Sequence, residues 1–230
     1  MPAMMQQCQL LTEKIKINKF VKDLIIVGAS GFGREVLQWV KHCNIKNKTW
    51  NIKGFIDDNI QALDGYECDY AIIDSIKNYS PNENDYFAIA IALPKVKKIV
   101  VEILQSKKAK FASIIHPTAI ISEFCQIGEG IIVTPNAKIS PNVIVGNFVT
   151  LLGSGFGHDA VIEDFCTITG NCSINGFVTL GEGAFIGSNS CIAPGKKVGA
   201  WSLVAMGSMV IMNVKPNTKV MGNPARKINI

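Results

Sequence analysis

The sequence predicts an α/β domain built on a small, Rossmann-like parallel sheet, followed by a parallel β-helix. Two observations carry this. Short apolar runs alternate with amphipathic helical stretches up to about residue 114, and from there an aliphatic residue recurs at every sixth position. The organisation expected is an N-terminal extension over residues 1–22, an α/β domain over 23–114 and a β-helix over 115–230.

In the first half, LIIVGA (24–29) reads as a strand and GFGREVLQWVKHC (31–43) as a helix with Val36, Leu37 and Val40 on one face. NIKGFIDD (51–58) reads as a second strand ending in paired aspartates, and YFAIAIAL (86–93) as a third. A helix follows in PKVKKIVVEILQSKK (94–108), with proline at its start, and FASII (111–115) closes the series as a last strand. Strands separated by helices argue for a parallel sheet with right-handed crossovers. Residues 1–22 fall outside the pattern and read as a weak helix or tail.

Steps of six from Ile115 land on Ile121, Ile127, Val133, Ile139, Val145 and Leu151. Steps from Ile162 land on Ile168, Ile174, Leu180, Ile186, Ile192, Val198, Val204 and Val210. An α-helix repeats near 3.6 and a strand at 2, so a sustained six is neither; it marks coils stacking like on like. Cys125, Cys166 and Cys172 fall at the compact position four places on, which gives them a packing role. The pattern breaks once. Leu151 and Ile162 are eleven residues apart, and the intervening GSGFG places three glycines in five positions, immediately before His158 and Asp159.

Composition narrows the function. With 18% charged residues and a net charge of +5, the chain has the make-up of a globular protein, and its lysine clusters (95, 97 and 98; 107, 108 and 110; 196 and 197) lack the interleaved aromatics of a nucleic-acid surface. Small anionic ligands are the better match. Seven scattered cysteines, with no CxxC pair, indicate neither a zinc site nor a disulfide framework and fit a reducing cytoplasm. No apolar run reaches the ~18 residues that a membrane span requires, and the N-terminus lacks the apolar core of a signal peptide.

Of the three histidines, His42 falls in the first helix and His116 at the entrance to the solenoid, so His158 alone lies within the β-helix. Imidazole is the natural general base near neutral pH, and a bend at the register break would let Asp159 orient it. The alternative is an ordinary loop histidine. In GASGFG, between strand and helix, Gly28, Ser30, Gly31 and Gly33 offer backbone N–H groups and a helix N-terminus to a phosphate; the spacing GxxGxG differs from the dinucleotide fingerprint, and a tight turn is the plainer reading. Asp57 and Asp58, at a strand end, suit ribose hydroxyls or simply begin a turn.

IIVGASGFGREV, FIDD, IIHPTAIIS, GHDAVIEDF and MGNPARKI, in that order, resemble the landmarks of sugar acyltransferases related to the sialic acid O-acetyltransferases and the bacillosamine-pathway N-acetyltransferases. The resemblance implies a left-handed β-helix, a homotrimer with catalysis between subunits, acetyl-CoA as co-substrate without a metal, and a nucleotide-linked amino sugar as acceptor in surface glycan synthesis. It implies His158 as base with Asp159 as its orienting acid, and the Gly176 backbone N–H as oxyanion donor. It sets the GASGFG loop on a sugar-nucleotide diphosphate, with Asp57 and Asp58 on the base or ribose. Small residues Ala205 and Gly207 would admit the pantetheine arm, and Lys215 and Arg226 are candidates for the CoA phosphates; solvated surface charges are the equal alternative. The chain departs from the family pattern at Leu152–Gly155 and at ALPK (92–95), and Thr167 stands where some members have a second histidine that contacts acetyl-CoA. The identity of the sugar is left open by these departures. Sugar O-acetylation and a non-catalytic nucleotide-sugar-binding trimer are the competing readings. A zinc-dependent hydratase on the same repeat would need three imidazole ligands where this solenoid has one.

Overall fold

The computed structural model describes residues 21–229. The reading of 1–22 as a helix or tail therefore lies outside the described residues over 1–20, and is corrected at Lys22, where the first strand already begins.

Five parallel strands form the N-terminal sheet: β1 (Lys22–Val27), β2 (Trp50–Ile56), β3 (Ile72–Asp74), β4 (Asp85–Ile89) and β5 (Lys110–Phe111), in the order β3-β2-β1-β4-β5. Helices α1 (Gly31–Lys46) and α2 (Pro94–Ser106) cover opposite faces. Leu24 and Ile26 pack with Val36, Leu37 and Val40 of α1, while Ile25 and Val27 pack with Val100, Val101 and Leu104 of α2. A strand covered on both sides is apolar at every position, which is why LIIV does not alternate.

Three details differ from the sequence reading. The run read as a third strand over 86–93 leaves the sheet after Ile89, and Ala90–Leu93 form the turn into α2. The edge strand β3 was not anticipated; three residues carry too little pattern to show. FASII is not one strand. Lys110–Phe111 pairs with β4, whereas Ile114–Ile115 pairs with Ile132–Val133 and begins the solenoid.

The solenoid consists of short strands, two residues long except for Lys219–Met221, in three ladders of eight, six and five; all run parallel but the terminal Arg226–Lys227 of the eight, so the coil is a triangular prism with an eight-strand, a six-strand and a five-strand face. The second residue of each parallel two-residue strand points inward, as in the column Val133, Leu151, Ile168, Ile186, Val204. Corners recur every six residues at a left-handed backbone position, occupied by Asn136, Asn142, Asn171 and Asn189 among others. Asparagine tolerates that conformation because its short amide bonds locally. Cys166 and Cys172 are buried at corners, and their thiols donate to the carbonyls of Gly181 and Gly187 at 3.2 Å.

The N-terminal domain covers the eight-strand face. Ile114 and Ile132, which point outward there, are buried in the core beneath α1. Phe148 and Phe165, stacked 5.4 Å apart on one corner, pack into the core beneath α2. The six- and five-strand faces keep Ile120 and Ile144 exposed. No helix among the described residues is long and apolar enough to cross a membrane.

Candidate active site

His158 sits on the edge between the six-strand and five-strand faces, in the turn from Gly155–Phe156 to Val161–Ile162. The deleted residue belongs to the preceding turn. There Gly153 takes the corner with φ +48°, and Phe156 restores the inward column, pairing with Ile139 and Ile174. The histidine thus occupies a regular corner. The bend that brings it together with Asp159 is the left-handed conformation of Asp159 itself, φ +59°, and not the neighbouring glycines.

His158 Nδ1 lies 2.7 Å from Asp159 Oδ2, and Asn142 Nδ2 donates to Asp159 Oδ1 at 3.2 Å. The hydrogen bond from His158 holds the Asp159 carboxyl below its ordinary range, reinforced by Asn142. An ionised carboxylate only accepts, so the proton of this contact sits on Nδ1 and Nε2 is left as the basic nitrogen. The ring meets Phe177 edge-on, with centroids 5.1 Å apart. It also lies over Gly176: a Cβ there would come within 2.9 Å of both Cε1 and Nε2. The side chain is 58% exposed, so Nε2 is accessible to a ligand. The sequence reading did not find Asn142 or Phe177, because each joins the site from an adjacent coil, about 18 residues away.

The second candidate site lies at the C-terminal ends of β1 and β4, where the strand order reverses direction, the usual ligand crevice of an open parallel sheet. A cleft of about 420 Å³ opens there, with Gly28, Ser30, Asp57, Asp58 and Ala92 in its walls. Gly28 adopts φ +97°, and Gly33 admits no Cβ because one would meet the Gly28 carbonyl oxygen. These two glycines serve the turn and its packing; at Gly31 a Cβ would meet only the end of the Arg34 side chain, at an ordinary 3.8 Å. Ser30 starts α1 without a side-chain capping bond and is exposed at the cleft. Asp57 accepts from the backbone N–H of Ala29 at 2.7 Å and of Asn59 at 2.8 Å, and Asp58 accepts from that of Ile76 at 3.0 Å. Both aspartates therefore shape the loops that form the cleft as well as lining it.

The C-terminal candidates do not converge on His158 within one chain. Ala205 and Gly207 lie on the edge between the eight- and six-strand faces, Lys215 on the edge between the five- and eight-strand faces, and Arg226 on the exposed terminal strand. The lysine clusters read as ligands for anions are in part structural. Lys97 is buried, Lys98 pairs with Glu182 at 2.8 Å, and Lys107 donates to the carbonyls of Ile76 and Tyr79. Thr167, at the position compared with a second acetyl-CoA histidine, is covered by the N-terminal domain and donates to the Ala92 carbonyl at 2.7 Å. No cluster of three or more His, Cys, Asp or Glu among the described residues is arranged to hold a metal.

Residues 23–104 match the PglD N-terminal domain family. Over 213 residues, covering 88% of this chain and 95% of the relative, the sequence is 29% identical to GDP-perosamine N-acetyltransferase of Escherichia coli O157:H7. Among solved structures, PerB from Caulobacter crescentus in complex with CoA and GDP-perosamine superposes with a TM-score of 0.82 at 19% identity, covering 91% of this chain and 98% of that one. WeeI from Acinetobacter baumannii AYE superposes with a TM-score of 0.78 at 27% identity, covering 89% and 99%. These likenesses span both the α/β domain and the left-handed β-helix.

Proposed function

We propose that this chain, a hexapeptide-repeat sugar acyltransferase of the bacillosamine and perosamine type, transfers the acetyl group of acetyl-CoA to the amine of a nucleotide-linked amino sugar in surface glycan synthesis. The observation that carries the reading is the His158–Asp159 pair, with Nδ1 tied to a carboxylate at 2.7 Å and Nε2 presented over a glycine. The neutral sugar amine attacks the thioester carbonyl, His158 Nε2 takes the proton released as the new C–N bond forms, and CoA leaves as the thiolate. Asp159 holds the tautomer and balances the imidazolium charge. The Gly176 N–H, one coil on, is the donor for the tetrahedral oxyanion.

The nucleotide diphosphate lies in the cleft at Gly28, Ser30 and the start of α1, where helix N–H groups favour an anion, with Asp57 and Asp58 toward the ribose or base. In a triangular prism, the edge bearing His158 is opposite the face that the N-terminal domain covers. A sugar held in the cleft therefore meets the histidine of another copy, which supports the homotrimer. In that assembly Ala205, Gly207, Lys215 and Arg226 line acetyl-CoA grooves between neighbouring prisms. The enzyme acts in the cytoplasm, a reading that the scattered, unpaired pattern of its cysteines supports.

The test is incubation with acetyl-CoA and a panel of UDP-, dTDP- and GDP-linked amino sugars, read by mass spectrometry. One acetyl group added as a hydroxylamine-stable amide is the expected product. A labile ester would move the assignment to O-acetylation, and ligand binding without turnover would leave a non-catalytic scaffold.

A further inference from the structure

We propose that Lys97 is a positioning residue: it locks the N-terminal domain onto the solenoid and so fixes the direction in which the nucleotide cleft presents its sugar. The proposal rests on the transferase reading for its consequence, though not for its geometry.

Lys97 projects from α2 and is 1% exposed, among apolar neighbours. Its ammonium nitrogen reaches four oxygens of the solenoid: the Phe148 carbonyl at 2.9 Å, Thr150 Oγ1 at 3.0 Å, the Cys166 carbonyl at 3.3 Å and Thr167 Oγ1 at 2.9 Å. These belong to two successive coils, so a single side chain registers α2 against both. Thr167 continues the connection, since its hydroxyl donates to the carbonyl of Ala92, which is itself a wall of the nucleotide cleft. Cleft wall, threonine, lysine and prism corner thus form one hydrogen-bonded chain.

Among the described residues, no carboxylate joins the group. Lys98 on the same helix is turned to Glu182, and the titratable neighbour on the solenoid is the Cys166 thiol, which burial pushes up to about 12 and keeps neutral. A buried amine without a counter-ion is a poor way to gain stability, because desolvation works against its charge. Burial pushes it down to about 7. What the amine supplies instead is direction: donors aimed at fixed carbonyls and hydroxyls specify one rotation and one height of α2 on the face, which an apolar contact would leave able to slide. A transfer reaction completed between copies depends on that registration, because the acceptor amine is carried by one body and the base by another.

The test compares the full chain with Lys97→Met, which keeps length and apolar volume, and with Thr167→Val, a milder break in the same chain should the first fail to fold. Hydrogen exchange at residues 97–101, whose amides are the first hydrogen-bonded ones of α2, is expected to accelerate at least about tenfold in the variants. Calorimetric affinity for the free nucleoside diphosphate should stay within about twofold, and the KM for acetyl-CoA should not move, while kcat falls about 10- to 100-fold. Unchanged exchange in both variants would overturn the lock. Faster exchange with wild-type kcat would overturn the positioning role. A wild-type protein that transfers no acetyl group would count against the transferase reading alone, with the exchange result still deciding the lock.

Discussion

Replacing Gly176 with alanine tests the site through one methyl group. The new Cβ would stand 2.9 Å from Cε1 and Nε2 of His158, whereas relaxed carbon contacts lie near 3.5–4.0 Å. The ring must therefore retreat by roughly 0.6–1 Å. Being 58% exposed, it has room to do so with little loss of packing. The 2.7 Å contact to Asp159 has no such slack, and Nε2 moves with the ring. Gly176 is outside the left-handed region, so alanine fits its backbone, and the loss of unfolded-state freedom contributes about 0.4–1 kcal/mol in favour of the fold. The Tm should accordingly stay within a few degrees, while kcat drops roughly 10- to 100-fold, the scale of an ångström-sized misplacement. Alanine keeps the backbone N–H proposed as the oxyanion donor, so the loss reports on the imidazole. The assay is thiol release from acetyl-CoA with saturating nucleotide amino sugar, alongside thermal unfolding. Wild-type kcat in a folded Gly176→Ala protein would refute the placement of the base at this turn.

His158→Ala is expected to lower kcat by about 10² to 10⁴ with assembly and both ligand affinities intact; near-wild-type steady-state turnover would remove the histidine from the mechanism. Asp159→Asn should cost less in kcat than His158→Ala, because asparagine accepts the left-handed corner and leaves the imidazole in place; a larger loss, or a collapse in Tm, would make Asp159 chiefly structural. Asp57→Ala should raise the KM for the nucleotide sugar about tenfold or more by releasing the Ala29 N–H and opening the cleft wall, with the KM for acetyl-CoA unchanged; equal effects on both would contradict separate sites. Burial holds Lys97 near 7 in the fold against 10.5 for the free side chain, so between those values the unfolded chain binds a proton that the folded one does not. Stability then rises with pH across that window, by up to about 1.4 kcal/mol per unit from this group, and the gain is absent below pH 7. Urea titrations of wild type and Lys97→Met from pH 7 to 9 should diverge accordingly, and parallel curves would refute the depressed value.

The amino-acid order by itself determined the prism, because a coil that stacks aliphatic residues on their equivalents writes its period directly into the chain: Ile168, Ile186 and Val204 are recognisable without knowing where any of them lies. It also determined that His158 and Asp159 are neighbours, since adjacency in sequence is contact enough once a corner bends. The α/β domain was legible wherever a strand was buried on both faces, as in LIIV, and illegible in the three-residue edge strand at Ile72–Asp74, whose pattern is too short to stand out. Only the tertiary structure decided the rest. Lys97 reads in sequence as one more surface lysine, because a helix pattern says which side faces inward but not that carbonyls and hydroxyls 51 to 70 residues away will be waiting there. Phe177 reaches His158 from the next coil, and Asn142 reaches Asp159 from the one before. The opposition between the histidine edge and the domain-bearing face arises from which ladder each strand joins. A periodic sequence repeats the same inward residue on all three faces, so periodicity fixes the coil and leaves to packing which face is covered and which edge is free.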